Sequence, residues 1–279
     1  MGDLEAQTAV TRTGDGSYTA MVHDDWEIWG PCGGYVAAIA LRAAAAESPF
    51  TKPASFFCHY LSVASFAPVE LTVTPLRSGR TVLAQRVVMS QGDRNVLEAM
   101  VWSVGEVEGL EHREAEPPDV PDPDELSPPP DLAPDHEGPR YAFWDNFDQR
   151  PLTWIEQWPP AEPLPPVWQT WLRYKPRATF HDPWVEAARA LIVLDVGSWP
   201  AGSRPHAYLE HSFIAPSLDL YAAFSELPSA GTTKASEWLL VDAHSPVAAG
   251  GLLSWTSRVW SRDRHLLASG GGQAVFRHA

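Results

Sequence analysis

Residues 29–48 read WGPCGGYVAAIALRAAAAES, and from Gly33 to Glu47 only Tyr35 and Arg42 are bulkier than an aliphatic chain and its closing glutamate. The stretch predicts a helix over 33–47 with little side chain on any face, and Arg42 and Glu47 carry its only charges. Small residues let a curved sheet approach the helix backbone. The segment therefore points to an arrangement in which a sheet encloses one helix, the alternative being an alanine-rich surface helix, which two charges in fifteen residues disfavour.

The flanking periodicity supplies such a sheet twice. A possible strand over 17–23 precedes the helix, and strand-like runs follow near 54–62, 69–76, 81–90 and 96–104. Arg77–Arg80 and Gln91–Asp93 are short, glycine-containing breaks suited to hairpins. Val69, Leu71 and Val73 alternate with Glu70, Thr72 and Thr74, as one buried face requires. Residues 117–139 hold nine prolines and seven acids with no Lys or Arg, which predicts a linker unable to form a helix or bury a core. Beyond it, strand candidates at 152–157 and 167–174 lead to Asp182-Pro183, a capping residue followed by proline at the first helical position. WVEAARALIVLDVG continues that helix, and runs at 217–224, 238–244, 252–260 and 266–276 follow, with a turn at Arg262–His265. The expected fold is α+β: two tandem units, 1–108 and 146–279, each a curved antiparallel sheet around one long central helix, joined by an acidic Pro-rich linker over 109–145.

A net charge of −15 tells against a general nucleic-acid binder, because phosphate contacts need a basic surface. No stretch approaches the ~20 apolar residues of a membrane span, and MGDLEAQTAV lacks the basic and apolar regions of a signal peptide, so a cytoplasmic protein is expected. Cys32 and Cys58 have no metal-ligand spacing and read as free thiols, and no cofactor is expected. Thirteen tryptophans, among them Trp168, Trp171, Trp184 and Trp199, suggest an aromatic interface in a homo-oligomer.

Each half serves as a control for the other. Aligning Ser55 with Ser217 sets Phe57 against Asp219, so the carboxylate is no requirement of the unit. Asp is disfavoured within strands and costly to bury; Asp219 is either a functional carboxylate or an edge residue facing water. The first helix is entered through Gly30, Gly33 and Gly34, the second through His181–Trp184 without glycine. A glycine-fronted helix start exposes N–H groups in a positive field and can hold an oxyanion. One complete site then combines the helix start of the first half with the carboxylate of the second, while its mate, with Phe57 and Pro183, is chemically empty. His59 shares the face of Phe57 and is either an ordinary polar residue satisfied by local hydrogen bonds or one that reaches the same cleft. Cys32 is a rival nucleophile, Asp195 reads as a buried structural acid, and Arg77, Arg80 and Arg86 on adjacent strands either serve a ligand or form a solvated charged edge.

WGPCGGYVAA, SFFCHYL, VELTVTPLRSGRTVLAQRV, Arg150–Leu152, ARALIVLDVGSWP, SLDLYAAF, EWLLVDAHSP and RDRHLLASGGGQAVFR, in this order, resemble the double hotdog acyl-CoA thioesterases. The resemblance implies hydrolysis of an acyl thioester to free acid and CoA, by a water held by an Asp, a Thr or Ser, and a Gln of the second unit. Asp219 falls on the aspartate. The hydroxyl position reads Pro246, with Ser245 before it, and the glutamine position reads Gly272, with Gln273 after it. Either a bulge near Gly270–Gly272 restores the register or two of the three groups are lost. The implied site is Asp219, Ser245 and Gln273 as catalytic residues, with Gly33, Gly34, Tyr35 and His59 binding substrate; Gly34 or Tyr35 N–H receives the carbonyl oxygen. A non-catalytic acyl-thioester binder and a hotdog hydratase or dehydratase remain as alternatives.

Overall fold

The computed structural model describes residues 1–129, 141–156, 160–176, 179–206, 213–227 and 236–278. Its elements are α1 (Leu4–Gln7), β1 (Thr11–Gly14), β2 (Ser17–Met21), α2 (Gly33–Glu47), β3 (Lys52–Tyr60), β4 (Pro68–Ser78), β5 (Val82–Gln91) and β6 (Arg94–Val104) in the first half. The second half contributes β7 (Phe147–Pro151), β8 (Val167–Tyr174), α3 (Pro183–Asp195), α4 (Ser198–Ser203), β9 (Phe213–Ile214), β10 (Asp219–Phe224), β11 (Trp238–Ala249), β12 (Leu252–Ser261), β13 (Leu266–Val275) and β14 (Arg277–His278).

Twelve strands form one antiparallel sheet in the order β1-β2-β4-β5-β6-β3-β10-β13-β12-β11-β8-β7. The halves meet where β3 pairs with β10, through Asp219 with His59, Leu220 with Cys58 and Tyr221 with Phe57. Under the alignment that equates Phe57 with Asp219, Cys58 equates with its own partner Leu220. The internal pseudo-dyad therefore passes through that pair, and the His59–Asp219 row maps onto the Tyr221–Phe57 row.

Helix α2 is buried from Gly34 through Ala44 apart from a half-buried Arg42. It packs on β3 to β6 and also directly on α3. A Cβ at Gly34 would stand 2.9 Å from both Ile192 Cα and Asp195 Cβ, while Arg42 Nη2 lies 3.2 Å from Asp182 Oδ2 at the other end, so the helices run antiparallel. The small residues thus serve a helix–helix contact as well as the approach of the sheet. Asp182 Oδ1 accepts from Trp184 N at 2.9 Å, as the Asp-Pro start predicts. Ile39 and Leu41, both fully buried, each contribute about 2 kcal/mol of transfer free energy.

Two expectations need correction. Residues 117–129 do bury apolar surface: Pro123 is buried in a short 3-10 turn, and Val120 and Leu126 pack on Trp171, Trp238, Leu240 and Trp260. Trp171 Nε1 donates to Pro121 O at 3.0 Å, and Arg262 pairs with Asp122 at 2.6 Å, so prolines and acids fasten the segment onto the second half. Residues 130–139 lie outside the described residues. The strand sought at 152–157 falls at Phe147–Pro151 instead, where Arg150 pairs with Trp171 and stacks on Trp238 at 5.1 Å; Gln157 lies outside the described residues.

Candidate active site

Asp219 begins β10, and its backbone is flanked by two strands of opposite origin. On one side stands His59 of β3; on the other Gln273 of β13, whose N–H donates to Asp219 Oδ1 at 2.9 Å. Burial alternates along β10, with Leu220, Ala222 and Phe224 inward, so half-buried Asp219 shares the outer face with Tyr221 and Ala223. Tyr60 N donates to Leu218 O at 2.9 Å, which makes the next pair, His59 with Asp219, a non-hydrogen-bonded one. Side chains approach most closely in such pairs. His59 also pairs with Glu98 of β6, whose carboxylate is held at 2.7 Å by Arg86, and the imidazole meets the Phe57 ring edge-on at 4.7 Å. Arg86 holds the Glu98 carboxyl below its ordinary range. The outer face thus carries a polar row, Glu98, His59, Asp219 and Gln273, beside an apolar one, Met100, Phe57 and Tyr221, each 37–45% exposed.

The start of α2 lies at the same end of the β3–β10 junction. A Cβ at Gly33 would stand 3.2 Å from Tyr60 Oη and 3.3 Å from Asp195 Oδ2, which requires glycine there or movement of both. The two N–H groups expected to receive a carbonyl are both engaged. Gly34 N donates to Asp195 Oδ2 at 2.7 Å and Tyr35 N to Cys32 O at 3.1 Å. Among the described residues Gly33 N–H has no acceptor. Asp195 is the buried acid its apolar surroundings suggested, 6% exposed, and burial raises its carboxyl to about 6 despite the Gly34 bond. Its Oδ1 and the Tyr60 hydroxyl are buried without a hydrogen bond. Nothing in the chain's pattern flagged Tyr60; a half-polar strand end beside a glycine helix start was the available signal.

Cys32 is not a nucleophile in this setting. Burial, and then the Asp195 charge, push its thiol far up, and burial does the same to Cys58. Ser245 is not brought to Asp219 either. A β-bulge between His244 and Val247 absorbs Pro246, turning Ser245 inward to donate to Ser254 O at 3.0 Å while Pro246 faces out. With β13 and β12 intervening, Ser245 is about 14 Å from the Asp219 strand along the sheet.

Against β12, β13 keeps an unbroken register from Ala268 to Val275, but against β10 the pairing slips by one residue between Tyr221–Gly271 and Ser217–Ala274, so an irregularity does lie beside Gly272, with the extra residue on β10. The glycines answer a different requirement: a Cβ at Gly270, Gly271 or Gly272 would collide with the carbonyl oxygen of Tyr221, Trp255 or Asp219 respectively. A glutamine at 272 has no room. Gln273, exposed and paired with Ser254, instead presents its side chain on the outer face beside Asp219.

Arg77 and Arg80 sit at the far end of the β4–β5 hairpin, where Arg77 pairs with Ala84, whereas Asp219 lies level with Val88. They are not beside the carboxylate, and Arg86 is occupied by Glu98. Trp168, Trp171 and Trp184 are buried within the chain and so cannot form an open aromatic interface. Cavities of about 340 and 1030 Å³ lie at the α3 start and under residues 110–113, away from the Asp219 row. Among the described residues no three His, Cys, Asp or Glu side chains are grouped to hold a metal, and no helix is long and apolar enough to cross a membrane.

Comparison with known proteins gives two family matches: the acyl-CoA thioesterase N-terminal domain over residues 22–104 and the acyl-CoA thioesterase C-terminal domain over residues 119–275. Among solved structures, the acyl-CoA thioesterase II TesB2 of Mycobacterium marinum superposes with a TM-score of 0.80 at 20% identity, covering 99% of both chains. The tesB protein of Mycobacterium avium subspecies paratuberculosis gives 0.78 at 22%, covering 98% of each. A hot dog fold protein of unknown function from Alicyclobacillus acidocaldarius gives 0.77 at 21%, covering 99% of this chain and 98% of the other. Curated proteins give no match.

Proposed function

The chain belongs to the acyl-CoA thioesterase family, with a double hotdog fold and thioester hydrolase activity, and from that premise we propose that Asp219 supplies the charge that activates the attacking water. The observation that carries this reading is the fixed position of its carboxylate: Gln273 N–H holds Oδ1 at 2.9 Å, and His59 is the cross-strand neighbour of Asp219 on the same face. Gln273 and His59 flank the water on the outer face. Acyl-CoA is the substrate. The apolar residues exposed near the helix start, Trp29, Leu61, Val63 and Leu218, suit its acyl chain.

We divide the chain into the units 1–108 and 146–279 around the segment 109–145, and place the protein in the cytoplasm. Copies associate through sheet edges, and light scattering of the purified protein reads a mass above 30.7 kDa if so. A panel of acyl-CoAs, with free thiol as the readout, tests the function. Thiol release by the wild type and its loss in Asp219→Asn support it. Binding without turnover favours an acyl-thioester binder, which would tolerate Pro246 and Gly272.

A further inference from the structure

We propose that His59 is the residue that takes the proton from water, with Asp219 acting through it; this rests on the hydrolase reading above. The residues equivalent to the family hydroxyl and glutamine are Pro246, turned outward by a bulge, and Gly272, which cannot carry a side chain. The polar groups on the same face as Asp219 and in adjoining strands are His59 and Gln273. Of these, only the imidazole both gives and receives a proton readily near neutral pH.

The surroundings of His59 suit that role on every side. From β10, Asp219 is its non-hydrogen-bonded cross-strand partner, a geometry that sets Cβ atoms about 4.5–5.5 Å apart and within reach of a hydrogen bond after side-chain rotation. From β6, Glu98 faces it, but Arg86 of β5 holds that carboxylate at 2.7 Å and offsets its charge. Asp219 is thus the carboxylate without a cation. One of its oxygens is already fixed by Gln273 N–H at 2.9 Å, leaving the other for an imidazole N–H. Phe57 meets the ring edge-on at 4.7 Å and limits its rotation, while His59 stays exposed to water. The mate row, Phe57 and Tyr221, offers neither base nor carboxylate.

In the reaction Asp219 accepts one imidazole N–H, and the other ring nitrogen takes a proton from water as the water oxygen bonds to the thioester carbon. The tetrahedral intermediate then collapses, the C–S bond breaks with its electron pair on sulfur, and the imidazolium returns its proton to that sulfur. The products are the carboxylic acid and the CoA thiol.

The test compares His59→Ala, His59→Gln and Asp219→Asn with the wild type in acyl-CoA hydrolysis, with and without added imidazole. Because His59 is exposed, the variants are expected to melt as the wild type does. The proposal expects kcat to fall at least ~100-fold in both His59 variants with KM within about 3-fold. It expects imidazole to restore part of the rate in His59→Ala and none in Asp219→Asn, and the fall of kcat/KM on acidification to vanish in His59→Gln. Retained activity in His59→Ala overturns the proposal while leaving hydrolysis standing, and so does a loss that imidazole does not touch in a folded variant. A wild type that cleaves no acyl-CoA overturns the hydrolase reading, and the proposal with it.

Discussion

The row of His59 and Asp219 and the row of Tyr221 and Phe57 are images of each other under the internal duplication, with the same backbone pairing and neighbouring strands. One carries an imidazole and a carboxylate; the other carries two aromatic rings. Fold constraints are equal for the two, so the difference belongs to chemistry. The helix ends repeat the lesson. The start of α2 is glycine, with no acceptor for Gly33 N–H among the described residues, whereas the start of α3 is closed by the Asp182 cap and Pro183. One half leaves a helix start without a side-chain cap, and the other uses its own side chain to complete the helix.

The comparison can be broken most forcefully at Asp219. Asp219→Asn is expected to lower kcat by ~100 to 10,000-fold, whereas Tyr221→Phe in the equivalent row leaves it within about 3-fold; comparable losses in both would remove the asymmetry. Asp195 comes next. Its folded-state carboxyl is raised to about 6, so the native state binds a proton more tightly than the unfolded chain, and stability rises as pH falls from about 7 toward 4. Ionisation of this group costs the native state about 3 kcal/mol at pH 7. Asp195→Asn keeps an oxygen for Gly34 N–H, so denaturant melts should show a more stable protein at pH 7 and a flatter pH dependence. A variant destabilised at pH 7 would contradict this.

Gly272→Gln restores the family residue but drives a Cβ into the Asp219 carbonyl oxygen. It is expected to cost about 2–3 kcal/mol in chemical denaturation and to lower activity rather than raise it. Ser245→Ala has the smallest effect, about 1 kcal/mol from the lost bond to Ser254 O, with kcat unchanged within about 2-fold.

Most of the sheet was legible because its code is local. Alternation at Val69, Leu71 and Val73, the glycine hairpins and the Asp-Pro cap each act within a few residues, and the strands fall within a few positions of their expected ends. Comparing Phe57 with Asp219 also singled out the row proposed here as functional, since duplication exposes a residue the fold does not need. What escaped depends on contacts distant in sequence. The Asp195–Gly34 bond joins residues 161 positions apart, so nothing near Gly34 announces that its N–H is taken. Pro246 and Gly270–Gly272 were recognised as departures, and the pairing slips at both, but beside Gly272 the extra residue lies on β10 and the glycines also mark close backbone approach. The prolines and acids at 117–129 looked like a free linker because their partners, Trp171 and Arg262, lie 50 and more residues away.

The most direct measurement is thiol release from acyl-CoAs of increasing chain length by the wild type and by Asp219→Asn, side by side. The account predicts turnover by the wild type and a loss of at least ~100-fold in the variant with substrate binding retained. Equal rates in the two proteins would contradict it, because the carboxylate that distinguishes the two halves would then have no part in the chemistry.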